Sequence, residues 1–383
     1  MRILHTSDWH LGRSFHREGM LSHQSLFIDH LVQVVQEESV DLVVVSGDVY
    51  DRALPPVDAV ELANDALCRL VSAGVRVVLT SGNHDSPQRL GFASSLIDAA
   101  GIHLRADPAI VGAPVIVPDQ HGDVAVYGLP YLEPDLVRTR WQLEGHSHQS
   151  VLDEAMRRVY ADLNARPSTT RSVVMAHAFV VGAAGSDSER DISVGGVASV
   201  GLDTFDGIDY TALGHLHGRQ SLSPAVRYSG SPLAYSFSET FHRKGSWMVD
   251  LTSSGLGTVE FVSAPVPRPL AMIEGNLQSL LTDPALAGVE GAWVQATLTD
   301  ARRPTQAMER LRHRFSHALL LRFEPAGGFA DEVGTSSRVL GRTDPEILAG
   351  FFDEMRGSSP DEDESELLHG ACDACRISEA AAS

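Results

Sequence analysis

An alternation of apolar strands and amphipathic helices in the first quarter of this 383-residue chain most constrains its fold. Three runs rich in β-branched residues begin at Arg2, Asp41 and Val75, and each ends in polar residues. The segments 23–39 and 57–74, which lie between these runs, carry apolar residues at helical spacing. This βαβαβ order predicts an α/β fold with a parallel sheet. Ligands bind beyond the carboxyl ends of such strands, so the polar residues should gather along one edge.

The polar residues at these strand ends are of the types that bind divalent metals. They are Asp8, His10, Asp48, Asn83, His84 and Asp85. Carboxylate, amide and imidazole groups together form a mixed oxygen and nitrogen set, which suits Mn²⁺, Fe²⁺ or Zn²⁺ better than Ca²⁺. The strand ends therefore predict a metal site, although each residue taken alone is equally compatible with a helix cap or a turn.

Two later strands add histidines to this set. The run RSVVMAHAFV contains His177, and DYTALGHLHG contains His215 and His217. In an extended segment the side chains alternate faces, so two histidines one residue apart point to the same side. This is a metal-ligand spacing, but an isolated H-x-H pattern is as compatible with a solvated turn. His177 taken alone is as compatible with a core histidine.

The rest of residues 1–265 is expected to complete one large catalytic domain. Residues 146–165 carry helical spacing, and strands are expected in RYSGSP and across 245–265. We expect these later strands to be antiparallel and to complete a second sheet.

Composition changes after the proline-rich segment APVPRPL. Residues 266–326 alternate strands and helices in a compact α+β pattern without a catalytic set, which predicts a small capping or DNA-binding domain. Residues 327–342 are rich in glycine, serine and charge, and we expect a linker there. Residues 343–358 carry the spacing of an apolar helix, and the acidic segment 359–383 is expected to be flexible.

The charge of the chain limits the classes of protein that it can belong to. With 50 acidic and 30 basic residues, the formal net charge is −20, which argues against a stand-alone nucleic-acid coat. Bound divalent metals reverse the sign of a site locally, so an acidic nuclease is compatible with this charge. Lys244 is the only lysine and no G-K-[ST] sequence occurs, so a P-loop is excluded. Any ATP dependence must therefore come from another chain.

Nothing in the sequence indicates export or membrane insertion. The N-terminus lacks the regions of a signal peptide, and no apolar run reaches the roughly 18 residues of a membrane span. We therefore expect a cytoplasmic chain with no membrane contact. Three cysteines, Cys68, Cys372 and Cys375, agree with a reducing compartment. His369 completes an H-x-x-C-x-x-C pattern with the last two, but this pattern lacks a fourth zinc ligand.

Taken together, the segments SDWH, SGDV, SGNHD, MAH and GHLH resemble the calcineurin-like metallophosphoesterases. The segments ILHTSDWHLGRSF, GNHDSP, SDSERDISVGG at 186–196 and YSGSP resemble the double-strand-break repair nucleases of that superfamily. The resemblance covers nearly the whole chain, and the SDSER segment separates it from relatives that hydrolyse monoesters or cyclic nucleotides. It implies a two-sheet α/β/β/α sandwich, followed by the capping domain and a partner-binding helix.

The resemblance also implies a role for each residue of the strand ends. One metal would be held by Asp8, His10, Asp48 and His217. The other would be held by Asp48, Asn83, His177 and His215. Asp48 would bridge two Mn²⁺ ions, with Fe²⁺ or Zn²⁺ as alternatives, because a carboxylate can offer one oxygen to each metal. His84 would stabilise or protonate the departing oxygen, and Asp85 would orient His84 or cap the next segment.

The implied activity is hydrolysis of DNA phosphodiesters by a metal-activated water, in DNA repair, recombination and replication. It would comprise a 3′–5′ exonuclease on double strands and an endonuclease on single strands and hairpins. The implied partner is an SMC-like ATPase in a two-plus-two complex, in which this chain forms a homodimer. The docking element would be an apolar stripe of the C-terminal helix, formed by Leu348, Phe351, Phe352 and Met355. Alternatively, this stripe folds back onto the capping domain.

Two other functions use the same residues. A small-molecule or cyclic-nucleotide phosphodiesterase would bind the same metals, but it would not explain the SDSER segment or the added domain. A non-catalytic scaffold would only dock a partner, and the complete ligand set argues against it. The remaining histidines are expected to be structural or solvated, with His16 and Arg17 facing DNA. These histidines are His5, His16, His23, His30, His103, His121, His146, His148, His242, His313, His317 and His369.

Overall fold

The computed structural model of the chain describes residues 1–192, 199–325, 342–356 and 358–382. Its strands are β1 Arg2–Thr6, β2 Ser14–Phe15, β3 Glu18–Gly19, β4 Leu42–Ser46, β5 Arg76–Thr80, β6 Ile102–Arg105, β7 Val115–Asp119, β8 Gly122–Gly128, β9 Arg171–His177, β10 Phe179–Val180, β11 Ser199–Val200, β12 Tyr210–Gly214, β13 Gln220–Ser221, β14 Val226–Tyr228, β15 Gly245–Thr252, β16 Gly255–Ser263, β17 Leu270–Gly275, β18 Trp293–Leu298 and β19 Ala318–Phe323. Its α-helices are α1 Leu21–Glu37, α2 Val57–Ser72, α3 Pro87–Leu90, α4 Ser94–Ile97, α5 Pro134–Trp141, α6 His148–Leu163, α7 Leu277–Thr282, α8 Ala307–Arg314, α9 Asp344–Arg356 and α10 Glu362–Ala382.

The first sheet has the strand order β16–β15–β1–β4–β5–β6. Strands β1, β4, β5 and β6 are parallel, as the βαβαβ pattern predicts, so their carboxyl ends lie at one edge. The hairpin β15–β16 pairs antiparallel with β1. The prediction that this hairpin completes the second sheet is therefore wrong. Trp247 and Val249 of β15 face the apolar space between the two sheets. A strand of either sheet that faces this space has the same alternation of apolar residues, so the sequence of β15 does not show which sheet it joins.

The second sheet has the strand order β13–β14–β12–β9–β8–β7. Strands β14, β12, β9 and β8 are parallel, and β13 and β7 are antiparallel edges. The short strand β14 falls in the expected segment, but it runs parallel to β12, contrary to the antiparallel prediction. Strands β7 and β8 were not predicted.

Alternating side chains of the strands build a four-layer α/β/β/α sandwich. Val43 and Val45 of β4 face the helices α1 and α2, where they pack with Phe27. Val44 faces the second sheet and packs with Val173 of β9. Helix α6 covers the outer face of the second sheet. Central strands are therefore buried on both faces, which explains their continuous apolar runs.

A smaller unit follows the sandwich, in agreement with the predicted capping domain. Its strands β17, β18 and β19 are all parallel, with α7 and α8 in the connections. Leu298, Leu311 and Phe315 are fully buried in its core. Trp293 packs on Phe15 of the sandwich, with ring centroids 5.0 Å apart. The unit therefore packs against the sandwich. The predicted domain boundaries stay predictions.

The C-terminal segment contains two helices, and the flexibility expected of its acidic end stays a prediction. Helix α9 contacts the 21-residue helix α10, which covers most of the acidic tail. Asp361 and Glu364 form a capping box, each accepting the backbone N–H of the other at 2.9 Å. Acidic side chains in the first turn further favour the helix. The predicted linker 327–342 lies, except for its last residue, outside the described residues. Among the helices described, including α10, none combines the length and apolarity needed to cross a membrane.

Candidate metal centre

The predicted metal-ligand residues lie where strands of both sheets end. Strands β1, β4 and β5 of the first sheet and β9 and β12 of the second reach this edge together. The sheets are joined there, because Ser46 Oγ donates to the carbonyl of Ala212 at 2.9 Å. Among the described residues, three groups place ligand atoms within 4.8 Å of one another. The groups are Asp8–His10–His217, His10–Asp48–His84 and Asp8–Asp48–His177.

Glycines at the strand ends allow these side chains to approach closely. A Cβ atom at Gly47 would lie 2.2 Å from Nδ1 of His177, and one at Gly82 would lie 2.1 Å from Oδ1 of Asp48. A Cβ atom at Gly214 would lie 1.8 Å from a backbone carbonyl oxygen of β4. The glycine in each of the motifs G-D, G-N-H-D and G-H-x-H is thus required by a specific close contact.

Asp8, His10 and His217 form one side of the cluster, and each is at most 1% exposed. His10 Nε2 lies 3.0 Å from His217 Nε2 and 3.6 Å from Asp48 Oδ2. The carboxylate of Asp8 accepts the backbone N–H of His215, at 3.0 and 3.2 Å to its two oxygens. Two imidazole nitrogens and two carboxylates therefore meet in a space without solvent.

Asn83, His177 and His215 form the opposite side. Asn83 Oδ1 lies 2.8 Å from His177 Nε2 and 3.2 Å from His215 Nδ1. His177 Nδ1 donates to the carbonyl of Ser46 at 3.0 Å, so the neutral ring carries its lone pair on Nε2. Asp48 lies between the two sides, because its Oδ2 is 3.6 Å from His10 Nε2 on one side and 3.5 Å from His177 Nε2 on the other.

The electrostatics of the cluster call for positive charge. Burial would lower the pKa of His177, but the nearby carboxylate of Asp48 outweighs it and raises that pKa to about 9. Burial would raise the pKa of Asp48, but the charge of His177 and its hydrogen bond hold it well below its usual value. Burial also raises the pKa of Asp8 to about 6. A divalent cation would supply the positive charge that protons otherwise provide.

The donor atoms of the cluster support the same conclusion. Among the described residues, the ring nitrogen His10 Nδ1 is buried without a hydrogen-bond partner. Burial lowers the pKa of His215 to about 3, which keeps its ring neutral and able to bind a metal. Two carboxylates, an amide oxygen and four imidazoles fit divalent ions such as Mn²⁺, Fe²⁺ or Zn²⁺. The residues present therefore fit a divalent-metal site.

The two histidines of the H-x-H pattern point to the cluster, but strand alternation is not the reason. Strand β12 ends at Gly214, and His215 has a φ of +102°, which is not extended backbone. The ring of His215 reaches Asn83, whereas the ring of His217 reaches His10. A turn therefore directs the two imidazoles to different sides of the cluster.

His84 lies beside the cluster, with its side chain 10% exposed. Its backbone N–H donates to Asp48 Oδ1 at 2.8 Å, and its Nδ1 donates to the carbonyl of Asp51 at 2.8 Å. The ring contacts that of His10 edge-on, with centroids 4.7 Å apart. These contacts leave Nε2 as the ring atom that can act on a substrate.

The carboxylate of Asp85 is engaged by the backbone. It accepts the N–H groups of Val49, Tyr50 and Gly82 at 3.0, 2.9 and 2.9 Å, and Asp85 is 7% exposed. It thereby joins the loop after β4, which carries Asp48, to the loop after β5. All three donors precede Asp85 in the chain, so these contacts do not cap the next segment, and a catalytic role for Asp85 stays a prediction.

We expect Asp85→Asn to reduce both the stability of the chain and its affinity for Mn²⁺. The amide retains one acceptor oxygen and turns an NH₂ group toward backbone donors, which costs about 1–3 kcal/mol. Urea unfolding and Mn²⁺ titration of the full chain measure the two effects. Asp107→Asn, at an exposed cap that accepts the N–H of Ala109 at 2.9 Å, is the matched control. Unchanged stability and Mn²⁺ affinity with a lower turnover rate would instead assign Asp85 a catalytic role.

Further residues that were not predicted as ligands surround the cluster. Ser188 and Glu239 form a chain of hydrogen bonds to His217, and Lys244 pairs with Glu239. Arg190 donates to the carbonyl of Asn83 at 3.1 Å. The SDSER segment and the single lysine were visible in the sequence, but nothing local shows that they meet.

Two of the remaining histidines are structural, as expected. His5 Nδ1 bonds to Tyr210 Oη at 2.8 Å, and His148 Nε2 bonds to the carbonyl of Ile192 at 2.7 Å. The H-x-x-C-x-x-C residues of the tail do not form a metal-binding group within the part of the chain that the structure describes.

A cluster of residues that could hold divalent metals, at the carboxyl edge of a two-sheet α/β/β/α sandwich, is typical of the metallophosphoesterase class. Residues 1–219, more than half of the chain, match the family model of the calcineurin-like phosphoesterases, and the chain belongs to that family. Residues 266–356 match a second model, SbcD_C, described as the type 5 capsule protein repressor C-terminal domain.

Two curated relatives define the narrower group. The chain is 36% identical over 280 residues to the SbcD component of the SbcCD nuclease of Bacillus subtilis (strain 168), which covers 70% of this chain and 71% of that protein. It is 33% identical over 291 residues to the corresponding nuclease component of Escherichia coli (strain K12), covering 73% and 72%. The chain therefore belongs to the SbcD family. A solved dimetal phosphatase from Danio rerio is 15% identical at a TM-score of 0.40, covering 69% of this chain and 99% of that chain. A likeness this distant supports no comparison of sites.

Proposed function

We propose that this chain is a metal-dependent DNA nuclease that hydrolyses phosphodiesters with an activated water, as part of an SbcCD-type complex. The observation that carries the proposal is the close approach of the ligand atoms of Asp8, His10, Asp48, His177 and His217. Asn83 Oδ1 lies beside His177 and His215, and His84 lies beside Asp48. A small-molecule phosphodiesterase would share this cluster. The capping unit and the SbcD relatives favour the nuclease.

Asp48 is proposed to bridge two divalent ions, Mn²⁺ in the first place, with Fe²⁺ or Zn²⁺ as alternatives. The other ligands would be Asp8, His10 and His217 on one side and Asn83, His177 and His215 on the other. Two such ions, when bound, lower the pKa of a water and offset the charge of a phosphodiester. The two ions together carry a charge of about +4, of which the carboxylates of Asp8 and Asp48 neutralise only half. The site would therefore present a net positive charge to DNA, although the formal net charge of the chain is −20.

His84 is proposed to act on the departing oxygen. Its Nδ1–H is held by the carbonyl of Asp51, so the ring can donate through Nε2 only when it is doubly protonated. Burial opposes this form, and the charge of Asp48 favours it. A proton supplied at Nε2 would neutralise the oxygen that leaves the phosphorus.

Basic residues near the cluster are proposed to contact the DNA backbone. Arg13 lies over the ring of Tyr235 at 5.0 Å, and Arg190 reaches the loop after β5. His16 and Arg17 form the exposed tip of the β2–β3 hairpin, with φ of +48° and +75°. These groups would supply a local positive surface on a chain that is acidic as a whole.

Incubation of the full chain with Mn²⁺ and end-labelled duplex, hairpin or single-stranded DNA tests the proposal. We expect Mn²⁺-dependent products that show 3′–5′ removal from duplex ends and cleavage within hairpins and single strands, abolished by chelation. Hydrolysis of cyclic nucleotides without hydrolysis of DNA would favour the small-molecule alternative. Metal binding without hydrolysis of either substrate would favour the scaffold alternative.

The partner of this chain is proposed to be an SMC-like ATPase in a two-plus-two complex, with this chain as a homodimer. On the predicted stripe, Phe351 is 57% exposed, while Leu348 and Phe352 are partly exposed. The side chain of Met355 lies outside the described part of the chain. Sedimentation of the chain alone and with the ATPase measures both stoichiometries.

Deletion of residues 343–383 is expected to leave Mn²⁺-dependent cleavage of short DNA intact but to abolish complex formation and ATP-stimulated cleavage. All the cluster residues lie between positions 8 and 217, whereas α9 and α10 contact each other and follow the sandwich in the chain, so the deletion removes no cluster residue. Co-elution with the ATPase during size-exclusion chromatography measures the complex. Phe351→Ala in the full chain should weaken it, whereas Leu367→Ala on α10, 74% exposed, is the matched control. A truncated chain that still co-elutes at unchanged affinity would place docking elsewhere.

A further inference from the structure

Behind His217 lies a buried ion pair that the proposed chemistry does not use. Lys244, the only lysine of the chain, pairs with Glu239, and the two residues are 7% and 1% exposed. Lys244 Nζ also donates to the carbonyl of His217 at 2.8 Å and to Ser231 Oγ at 2.9 Å. Withdrawing two charges from water is unfavourable, and replacing such a pair by apolar residues is often neutral or stabilising. Stability alone therefore does not explain the pair.

In the hydrogen bonds that connect this pair to His217, the donor and the acceptor of each bond are fixed. Glu239, kept ionised by Lys244, can only accept, so the hydroxyl of Ser188 donates to it. Ser188 Oγ then offers a lone pair to His217 Nδ1, which lies 2.5 Å away and must carry the hydrogen. The lone pair of the ring is thereby placed on Nε2, the atom that faces His10 at 3.0 Å.

The backbone of His217 is held by the same surroundings. Its N–H donates to Glu189 Oε1 at 2.7 Å, and the other oxygen of Glu189 accepts the N–H of Ser186 at 2.7 Å. Its carbonyl accepts from Lys244. Ser188 and Glu189 both belong to the SDSER segment, so this segment contacts the ring and the backbone of the same histidine.

We propose that Ser188, Glu239 and Lys244 form a positioning relay that fixes the Nδ1–H tautomer and the orientation of the His217 ring. The relay thereby sets the affinity of the His217 side of the cluster for a divalent metal. A histidine ligand must present a lone pair, and an acceptor for its other N–H keeps that lone pair in place. The proposal rests on the proposed function in taking His217 as a metal ligand.

Mn²⁺ binding to the metal-stripped full chain, followed by electron paramagnetic resonance of free Mn²⁺, tests the relay. Ser188→Ala removes the bridging hydroxyl and should weaken one Mn²⁺ site by about 10–100-fold. Ser188→Thr, which retains the hydroxyl, should restore most of this affinity. Ser172→Ala is the matched control, since Ser172 is 2% exposed and donates to the carboxylate of Asp209 at 3.1 Å. Equal Mn²⁺ affinity in the Ser188→Ala and Ser172→Ala chains would overturn the proposal.

The tautomer of His217 can be measured in the unmodified chain, which removes any dependence on the folding of a variant. Long-range ¹⁵N–¹H spectra of the histidine-labelled, metal-free chain should show the Nδ1–H form for His217, assigned by its loss in His217→Gln. Ser188→Ala should give a mixture of tautomers. An Nε2–H form in the unmodified chain would overturn the relay. Absence of DNA cleavage together with the expected Mn²⁺ and tautomer results would reject the nuclease and retain the relay.

Discussion

An Asp48→Ala variant is expected to hydrolyse DNA at no more than the background rate and to hold neither Mn²⁺ ion at the affinity of the unmodified chain. The Oδ2 atom of Asp48 lies 3.6 Å from His10 Nε2 and 3.5 Å from His177 Nε2, so one carboxylate serves both sides of the cluster. Its Oδ1 also accepts the backbone N–H of His84 at 2.8 Å. The substitution therefore removes a ligand from both metals and loosens the loop that carries His84.

Elemental analysis after dialysis against Mn²⁺ measures the bound metal, and hydrolysis of an end-labelled duplex measures the activity of Asp48→Ala. His217→Ala should differ, because it removes a ligand from one side only and should chiefly weaken one Mn²⁺ site. Asp209→Ala is the control, since Asp209 accepts the N–H of Ser172 at 2.7 Å, at the opposite end of β9. Full metal occupancy in Asp48→Ala would contradict the bridging role.

A His84→Ala variant is expected to lose roughly 10²–10⁴-fold in turnover rate while it retains both Mn²⁺ ions and its affinity for DNA. The reason is that the ring acts on the departing oxygen and is not one of the proposed ligands. Single-turnover cleavage at saturating enzyme measures the chemical step, and Mn²⁺ titration measures the metals. His121→Ala is the control, because His121 is exposed and its ring bonds to the neighbouring Gln120, with no other partner among the described residues. Loss of metal from His84→Ala would show that His84 is a ligand.

The pH dependence of the cleavage rate, compared between the unmodified chain and His84→Ala, shows whether His84 donates or accepts a proton. Burial lowers the pKa of His84 from its usual 6.5, although the charge of Asp48 and the carbonyl of Asp51 oppose this. The doubly protonated ring that can donate through Nε2 is therefore lost as pH rises through the range below 6.5. The part of the rate that depends on His84 should fall with rising pH, and this limb should be missing in His84→Ala. A rate enhancement by His84 that grows with pH would instead make the ring a proton acceptor.

The positions of the cluster residues could be predicted because the signal for them is local. Each apolar run of β1, β4 and β5 stops at a polar residue, and the carboxyl ends of parallel strands share one edge of a sheet. The structure brings Asp8, Asp48 and Asn83 together there, with His177 and the H-x-H pair joining them from the second sheet. Their roles as metal ligands remain for the metal-binding experiments to establish.

The apolar patterns of individual strands did not predict which sheet a strand joins or in which direction it runs, because two places in the fold accept the same pattern. The hairpin β15–β16 and the strand β14 have apolar alternation that fits either sheet and either direction. In the acidic tail, the capping box of Asp361 and Glu364 is a short-range helix signal, whereas the flexibility expected from its charge stays a prediction.

The sequence by itself therefore determined the α/β class, the residue types of the cluster and their places at strand ends, because these follow from periodicity and short motifs. The tertiary structure alone decided which sheet β15 and β16 join and how Ser188, Glu239 and Lys244 meet behind His217. The physical reason is that strand pairing and buried hydrogen bonds are selected by burial and polar satisfaction between distant segments. Ser188, His217 and the pair Glu239 and Lys244 belong to three separate connections between strands, and only the closed sandwich places their polar atoms within hydrogen-bonding distance.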